Sequence, residues 1–123
     1  MRQILIIEDE LDLAKLIAEE LQLAGCGAHV TTDGMEALDY LRDADPLPDL
    51  ILLDLQMPIM DGYRFRAEQR RHPRWRVIPV IAMSAVRPRR SASGNDIDVQ
   101  AWLAKPFDLE HLLTLVRRPR LQL

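Results

Sequence analysis

Short apolar runs alternate along the chain with longer stretches in which apolar residues return every three or four positions. Gln3 to Ile7 is such a run and reads as a buried strand. From Leu11 to about Ala24, Leu13, Ala14, Ile17, Ala18 and Leu21 keep helical spacing, and Gly25 and Gly27 close that helix. Ala28 to Thr31 is a weaker second strand. Met35 to about Ala44 is a second helix with Ala37, Leu38 and Leu41 on one face. Pro46 and Pro48 punctuate, and Asp49 to Leu53 is a third strand. Asp61-Gly62 marks a turn before a helix from about Tyr63 to Arg70. Val77 to Met83 is a fourth strand, Ala101 to Ala104 a fifth, and Leu109 to Val116 a closing helix. Strands that alternate with helices need crossover connections, which predicts an α/β fold: a doubly wound parallel sheet with helices on both faces.

Between the fourth and fifth strands the pattern weakens. Pro88 suits a first helical position, but Gly94-Asn95 can end the helix soon afterwards. Ile97, Val99, Ala101 and Leu103 then alternate with Asp98, Gln100 and Trp102, which is a strand period. The fourth helix is therefore expected to be short or irregular. The same parity puts Trp102 on the partly exposed side of the last strand.

The apolar runs share a second property. QILII ends at Glu8-Asp9, DLILL at Asp54, VIPVIAM at Ser84 and AWLA at Lys105. In a parallel sheet these C-terminal ends lie on one edge, where open α/β folds bind their ligands. Three carboxylates, a hydroxyl and an ammonium should therefore converge. Crowded carboxylates resist simultaneous ionisation, and a divalent cation relieves them. Oxygen donors without histidine or cysteine favour a hard ion, Mg²⁺ first. Lys105 and Ser84 would complete a setting for a phosphoryl group, and one carboxylate can itself be the acceptor.

Composition narrows the field. The 123 residues suit one domain, taken as residues 1–123, with no room for a second. A net charge of −3 gives no broad basic footprint for nucleic acid. The lone Cys26 has no internal partner, which fits a reducing cytoplasm or a compartment of indifferent redox state. No apolar run approaches the roughly 20 residues needed to span a bilayer, and MRQILIIEDE turns acidic too early for a signal peptide. His29, His72 and His111 lack ligand spacing, and Met57, Met60 and Met83 read as gap fillers. Six arginines between Arg64 and Arg76 read first as a solvated face, with an acidic partner or nucleic acid as the runner-up.

Together the acidic pair Glu8-Asp9, Asp54 followed by Met57-Pro58 and Met60-Asp61-Gly62, Ser84-Ala85, and Lys105-Pro106-Phe107 resemble the receiver domain of bacterial two-component response regulators. The resemblance runs from the first strand to the last helix. It implies a flavodoxin-like five-stranded sheet in the order 2-1-3-4-5. It implies that Asp54 accepts a phosphoryl group from a histidine kinase or phosphotransfer protein, and that the domain acts on an output partner. Mg²⁺ would be held by Asp9, Asp54 and the backbone carbonyl of Gln56, with Glu8 acting through metal-bound water. Lys105 would pair with the carboxylate and then with the phosphate, Ser84 and Trp102 would form the switch, and the Lys105-Pro106 bond would be cis. Such a domain catalyses its own phosphorylation and dephosphorylation and acts on no free metabolite.

Other readings remain beside this one. Glu8 can be a solvated acid and Ser84 a simple turn serine. A haloacid dehalogenase-type phosphatase would need a second aspartate at position 56, where Gln56 stands. A flavodoxin-like nucleotide binder would need a Ser/Thr/Gly-rich loop where the chain has Glu8-Asp9-Glu10. A receiver fold that docks partners without phosphorylation also fits. The chain departs from the receiver pattern between Ser84 and Lys105, with Asp98 standing where a glycine is expected. No output domain follows, so the chain is a stand-alone receiver or one module of a longer protein, and its oligomeric state stays open.

Overall fold

A computed structural model of the chain describes residues 2–86 and 97–118. Its strands are β1 (Gln3–Ile7), β2 (Gly27–Thr31), β3 (Leu50–Asp54), β4 (Val80–Ser84) and β5 (Ala101–Ala104). They form one sheet in the order β2-β1-β3-β4-β5, parallel at every pairing. Among the described residues the helices are α1 (Leu11–Leu23), α2 (Gly34–Asp43), α3 (Gly62–Arg71) and α4 (Leu109–Val116). The fourth helix expected between β4 and β5 falls mostly on residues 87–96, outside the described residues.

The central strands are apolar on both sides because both faces are covered. Leu5, Ile7, Ile51, Leu53, Val80 and Ala82 pack with α2 and α3. Their alternates Ile4, Ile6, Leu50, Leu52, Ile81 and Met83 pack with α1 and α4. The period of two along each strand thus sorts the core into two layers. Helix starts are set locally: the side chains of Asp33, Asp61 and Asp108 accept from the backbone N–H three residues on.

Most element positions match the sequence pattern within a residue or two. β4 is the exception, starting at Val80 rather than Val77. Val77 is 74% exposed. The chain before it winds through turns in which Arg76 N–H donates to the His72 carbonyl and Ile78 N–H to that of Trp75. Pro79 has no N–H to give, so only its carbonyl joins the sheet, accepting from Ile51 N–H. The arginine stretch is also not a uniform solvated face. Arg66 is 4% exposed, and its Nε donates to the Asp98 carbonyl at 2.7 Å and its Nη1 to Gln69 Oε1 at 2.8 Å.

In the loop after β3, Ile59 has φ of 68° and is 79% exposed. A β-branched residue is disfavoured in that left-handed region, and exposure denies it packing in return. Ile59→Asn keeps a side chain that tolerates this conformation. It is expected to raise unfolding stability by about 1 kcal/mol in urea denaturation. A loss of stability would contradict this account of the loop.

Candidate functional site

The C-terminal edge of the sheet gathers the residues expected there. Glu8 N–H donates to the Thr31 carbonyl at 3.0 Å, so β1 keeps its pairing one residue past its last assigned position. The Glu8 side chain turns inward and is 0% exposed, which excludes the solvated reading. Its Oε2 accepts from Glu10 N–H at 3.0 Å and its Oε1 from Lys105 Nζ at 2.6 Å. Asp9 is exposed at the mouth of the site. Asp54 closes β3 and is 3% exposed, with Oδ1 accepting from Gln56 N–H at 3.1 Å. The Lys105 ammonium stands 3.5 Å from Asp54 Oδ2. The lysine therefore pairs mainly with Glu8 and only secondarily with Asp54.

Glu8, Asp9 and Asp54 each offer a carboxylate oxygen, all within 4.8 Å of one another. Such a hard-oxygen set fits Mg²⁺ and lacks the soft donors that would favour a transition metal. An open cleft of about 530 Å³ lies over this edge, with Asp9, Gln56, Asp61, Tyr63 and Ser84 in its wall. Sequence reasoning had not placed Asp61 or Tyr63 at the cleft, although both follow Asp54 closely in MPIMDGY. Gly62 explains why α3 begins so near: a Cβ there would meet the Asp54 carbonyl oxygen at 2.5 Å.

Ser84 joins β4 to β5. Its carbonyl accepts from Lys105 N–H at 2.9 Å and from Trp102 Nε1 at 3.2 Å. Its Oγ accepts from Val86 N–H at 3.1 Å, the turn role weighed for this serine, and the hydroxyl proton is left to donate elsewhere. Trp102 is half-buried, as expected for the partly exposed side of the strand, although Ala101 on the opposite parity is half-buried too. The Lys105-Pro106 bond is cis, and so is Asp45-Pro46, which the sequence reading did not single out.

The electrostatics follow from burial. Removal from water pushes the Asp54 carboxyl up to about 7 from an ordinary 3.8. The Gln56 N–H opposes that rise, the Glu8 carboxylate adds to it, and Lys105 pulls back least. Burial alone would lower the Lys105 ammonium, but the hydrogen bond and charge of Glu8, with those of Asp54, hold it above its ordinary range.

The profile of the response regulator receiver domain family matches residues 4–117. The chain belongs to this family. The receiver is 34% identical over 116 residues to the sensor histidine kinase CheAY of Helicobacter pylori, covering 94% of this chain and 14% of the kinase. It superposes on the chemotaxis response regulator CheY4 of Vibrio cholerae with a TM-score of 0.85 at 28% identity, covering 96% and 98% of the two chains. It superposes with a TM-score of 0.80, at 27% identity and 95% coverage of both chains, on the receiver domain of a Pseudomonas aeruginosa sensor histidine kinase. That receiver has a magnesium ion coordinated in its active-site cleft. Against eight curated relatives the chain spans 7 to 52% of their lengths.

The raised Asp54 carboxyl gives this receiver a pH dependence of definite sign. Between about pH 4 and 7 the folded state holds a proton that the unfolded state has released, so stability falls as pH rises through that window. Above about 7 the penalty is complete. Without divalent cations, Asp54→Asn should therefore be more stable than the parent at pH 8, by roughly 2–4 kcal/mol. The advantage should shrink steadily towards pH 4. Denaturation across this range checks it, and a pH-independent difference would rule out an ionised, crowded Asp54 as the cause.

Proposed function

We propose that this receiver is the phosphoacceptor module of a two-component phosphorelay and that Asp54 carries the phosphoryl group. One observation bears most of the weight: the Asp54 carboxylate ends a buried strand 3.5 Å from the Lys105 ammonium and within 4.8 Å of the Glu8 and Asp9 carboxylate oxygens. An Asp54 oxygen attacks the phosphorus of a phosphohistidine on a histidine kinase or phosphotransfer protein. The new O–P bond forms as the N–P bond breaks, and the electron pair returns to the imidazole. Little is asked of the protein beyond positioning and charge neutralisation.

Asp9, Asp54 and the Gln56 carbonyl would hold Mg²⁺, with Glu8 reaching it through water. When bound, that ion supplies the positive charge that lets the carboxylates and phosphoryl oxygens crowd together. The magnesium in the Pseudomonas receiver supports the same ion here. Lys105, already close to Asp54, would pair with a phosphoryl oxygen. The Ser84 hydroxyl would leave Val86 N–H and donate to another. Because the Ser84 carbonyl holds Trp102 Nε1, that movement would reach the partly exposed face of β5 and so an output partner. On this reading residues 1–123 are one receiver domain, acting in the cytoplasm and catalysing only its own phosphorylation and dephosphorylation. Among the described residues no helix is long and apolar enough to cross a membrane.

Incubation with acetyl phosphate and Mg²⁺ should add the mass of one phosphoryl group to the intact protein. Asp54→Asn and a chelator should each abolish the gain. An unlabelled parent protein would instead favour a receiver fold that docks partners without phosphorylation. Labelling that survives in Asp54→Asn would move the acceptor elsewhere.

Asp9 is the exposed member of the carboxylate set, so its removal should cost metal affinity more than folding. In Asp9→Ala the rise in melting temperature produced by Mg²⁺ should largely disappear, because so few protein oxygens hold the ion. A Mg²⁺ shift of parental size in that variant would remove Asp9 from the site.

A further inference from the structure

β5 is the shortest strand of the sheet, four residues, and among the described residues it is bonded on one side only. Yet it leads directly into Lys105, whose ammonium must reach Glu8 and Asp54. An edge strand this short needs anchors beyond its own ladder. At its far end Lys105 N–H donates to the Ser84 carbonyl at 2.9 Å. At its near end Gln100 is fastened to Val80 twice: its N–H donates to the Val80 carbonyl at 2.9 Å and its Oε1 accepts from Val80 N–H at 2.7 Å.

Two residues earlier the chain is gripped from α3. Arg66 donates from Nε to the Asp98 carbonyl at 2.7 Å and from Nη1 to Gln69 Oε1 at 2.8 Å. Gln69 is itself fixed, its Nε2 donating to the carbonyls of Trp75 and Ile78 at 2.8 and 3.1 Å. Arg70 adds an ion pair to the Asp98 carboxylate at 3.5 Å, with both side chains about half exposed. Burying a guanidinium against neutral acceptors is unfavourable, and burial lowers the Arg66 pKa while Asp98 only partly restores it. A cation held at that cost fixes its acceptors in place.

We infer that Arg66 is a positioning residue for Lys105: by holding the Asp98 carbonyl against α3 it fixes the entry of β5 and thereby the placement of the lysine at the site. The grip acts on a backbone carbonyl, so the Asp98 side chain is secondary. An exposed pair such as Arg70–Asp98 contributes little. Lysine cannot replace Arg66, because one ammonium does not reproduce the rigid fork that serves two separate acceptors. The role in phosphorylation rests on the function proposed above; the role in placing β5 does not.

The test uses the full chain with Arg66→Met, Arg66→Lys and Asp98→Ala. In either Arg66 variant, amide exchange at both Gln100 and Lys105 should accelerate by about tenfold or more, the loss expected for a hydrogen bond from a charged group. Leu52 in β3 should hold its rate. In a Trp75→Phe background the Trp102 indole N–H resonance should shift. Labelling by acetyl phosphate should slow by roughly tenfold to a hundredfold, the upper figure being the cost of a misplacement of about 1 Å. Asp98→Ala should stay within about threefold of the parent in every readout. Should Arg66→Met fail to fold, Arg66→Lys carries the same expectations. Faster exchange at Gln100 alone would confine the grip to its own neighbourhood and overturn the inference. Unchanged labelling in a folded Arg66 variant with an exposed Lys105 amide would do the same. A parent that takes no phosphoryl group defeats the proposed function, and exchange at Lys105 then decides the positioning role by itself.

Discussion

At the edge of the sheet one ammonium faces two buried carboxylates, and the architecture of this receiver serves that contact. Lys105 reaches Glu8 at 2.6 Å and Asp54 at 3.5 Å from the end of a strand that is three places away from β1 in the sheet order. Only a parallel sheet whose strands all end on one edge brings these three together from residues 8, 54 and 105. The charges do not balance. Among the described residues, two buried acids share the Lys105 ammonium, and Asp9 adds a third carboxylate at the mouth. Burial first, and the Glu8 carboxylate after it, push the Asp54 carboxyl up to about 7. On the proposed function, a divalent cation would relieve the crowding of these carboxylates.

The division of labour between Glu8 and Asp9 shows where sequence reading reaches and where it stops. That both lie at the end of β1 was plain from the apolar run before them. Which one points inward was not, because adjacent strand residues face opposite ways and both are acids. The choice is made by a backbone hydrogen bond from Glu8 to Thr31, 23 positions away in the chain and invisible in the local pattern. The two-layered core and the convergence of Asp54, Ser84 and Lys105 were legible because they follow from periodicity and from the residues at the strand ends, while the strand order came only with the family resemblance. The partner of Lys105 was not, since it depends on distances of an ångström or less.

Arg66 escaped for a related reason. In a run of six arginines no local signal separates the buried one, and helical spacing alone does not say which side chain finds acceptors. Asp98 was noticed only as a departure from the glycine expected there. The structure joins the two observations: the irregular approach to β5 carries a carbonyl, and α3 carries a guanidinium that holds it. The early start assigned to β4 has a simpler cause. Val77 and Ile78 look like strand residues, but Pro79 cannot donate to the ladder, and Ile78 instead packs under the turn with Trp75.

Closely packed interiors resist gradual deformation, so a change at Asp54 has to emerge where the sheet is least constrained. β3 is bonded on both sides and buried throughout, so the strand that bears the acid is a poor candidate to move. Among the described residues β5 is bonded on one side only, and its indole and the first residue beyond it share an acceptor, the Ser84 carbonyl. A displacement of Ser84 would thus be felt at Trp102 and Lys105 together. With the entry to β5 fixed by Arg66 and Gln100, the movement would be confined to the strand's C-terminal half. The same geometry that makes the edge strand responsive makes its anchors necessary, because a strand free at both ends would transmit nothing.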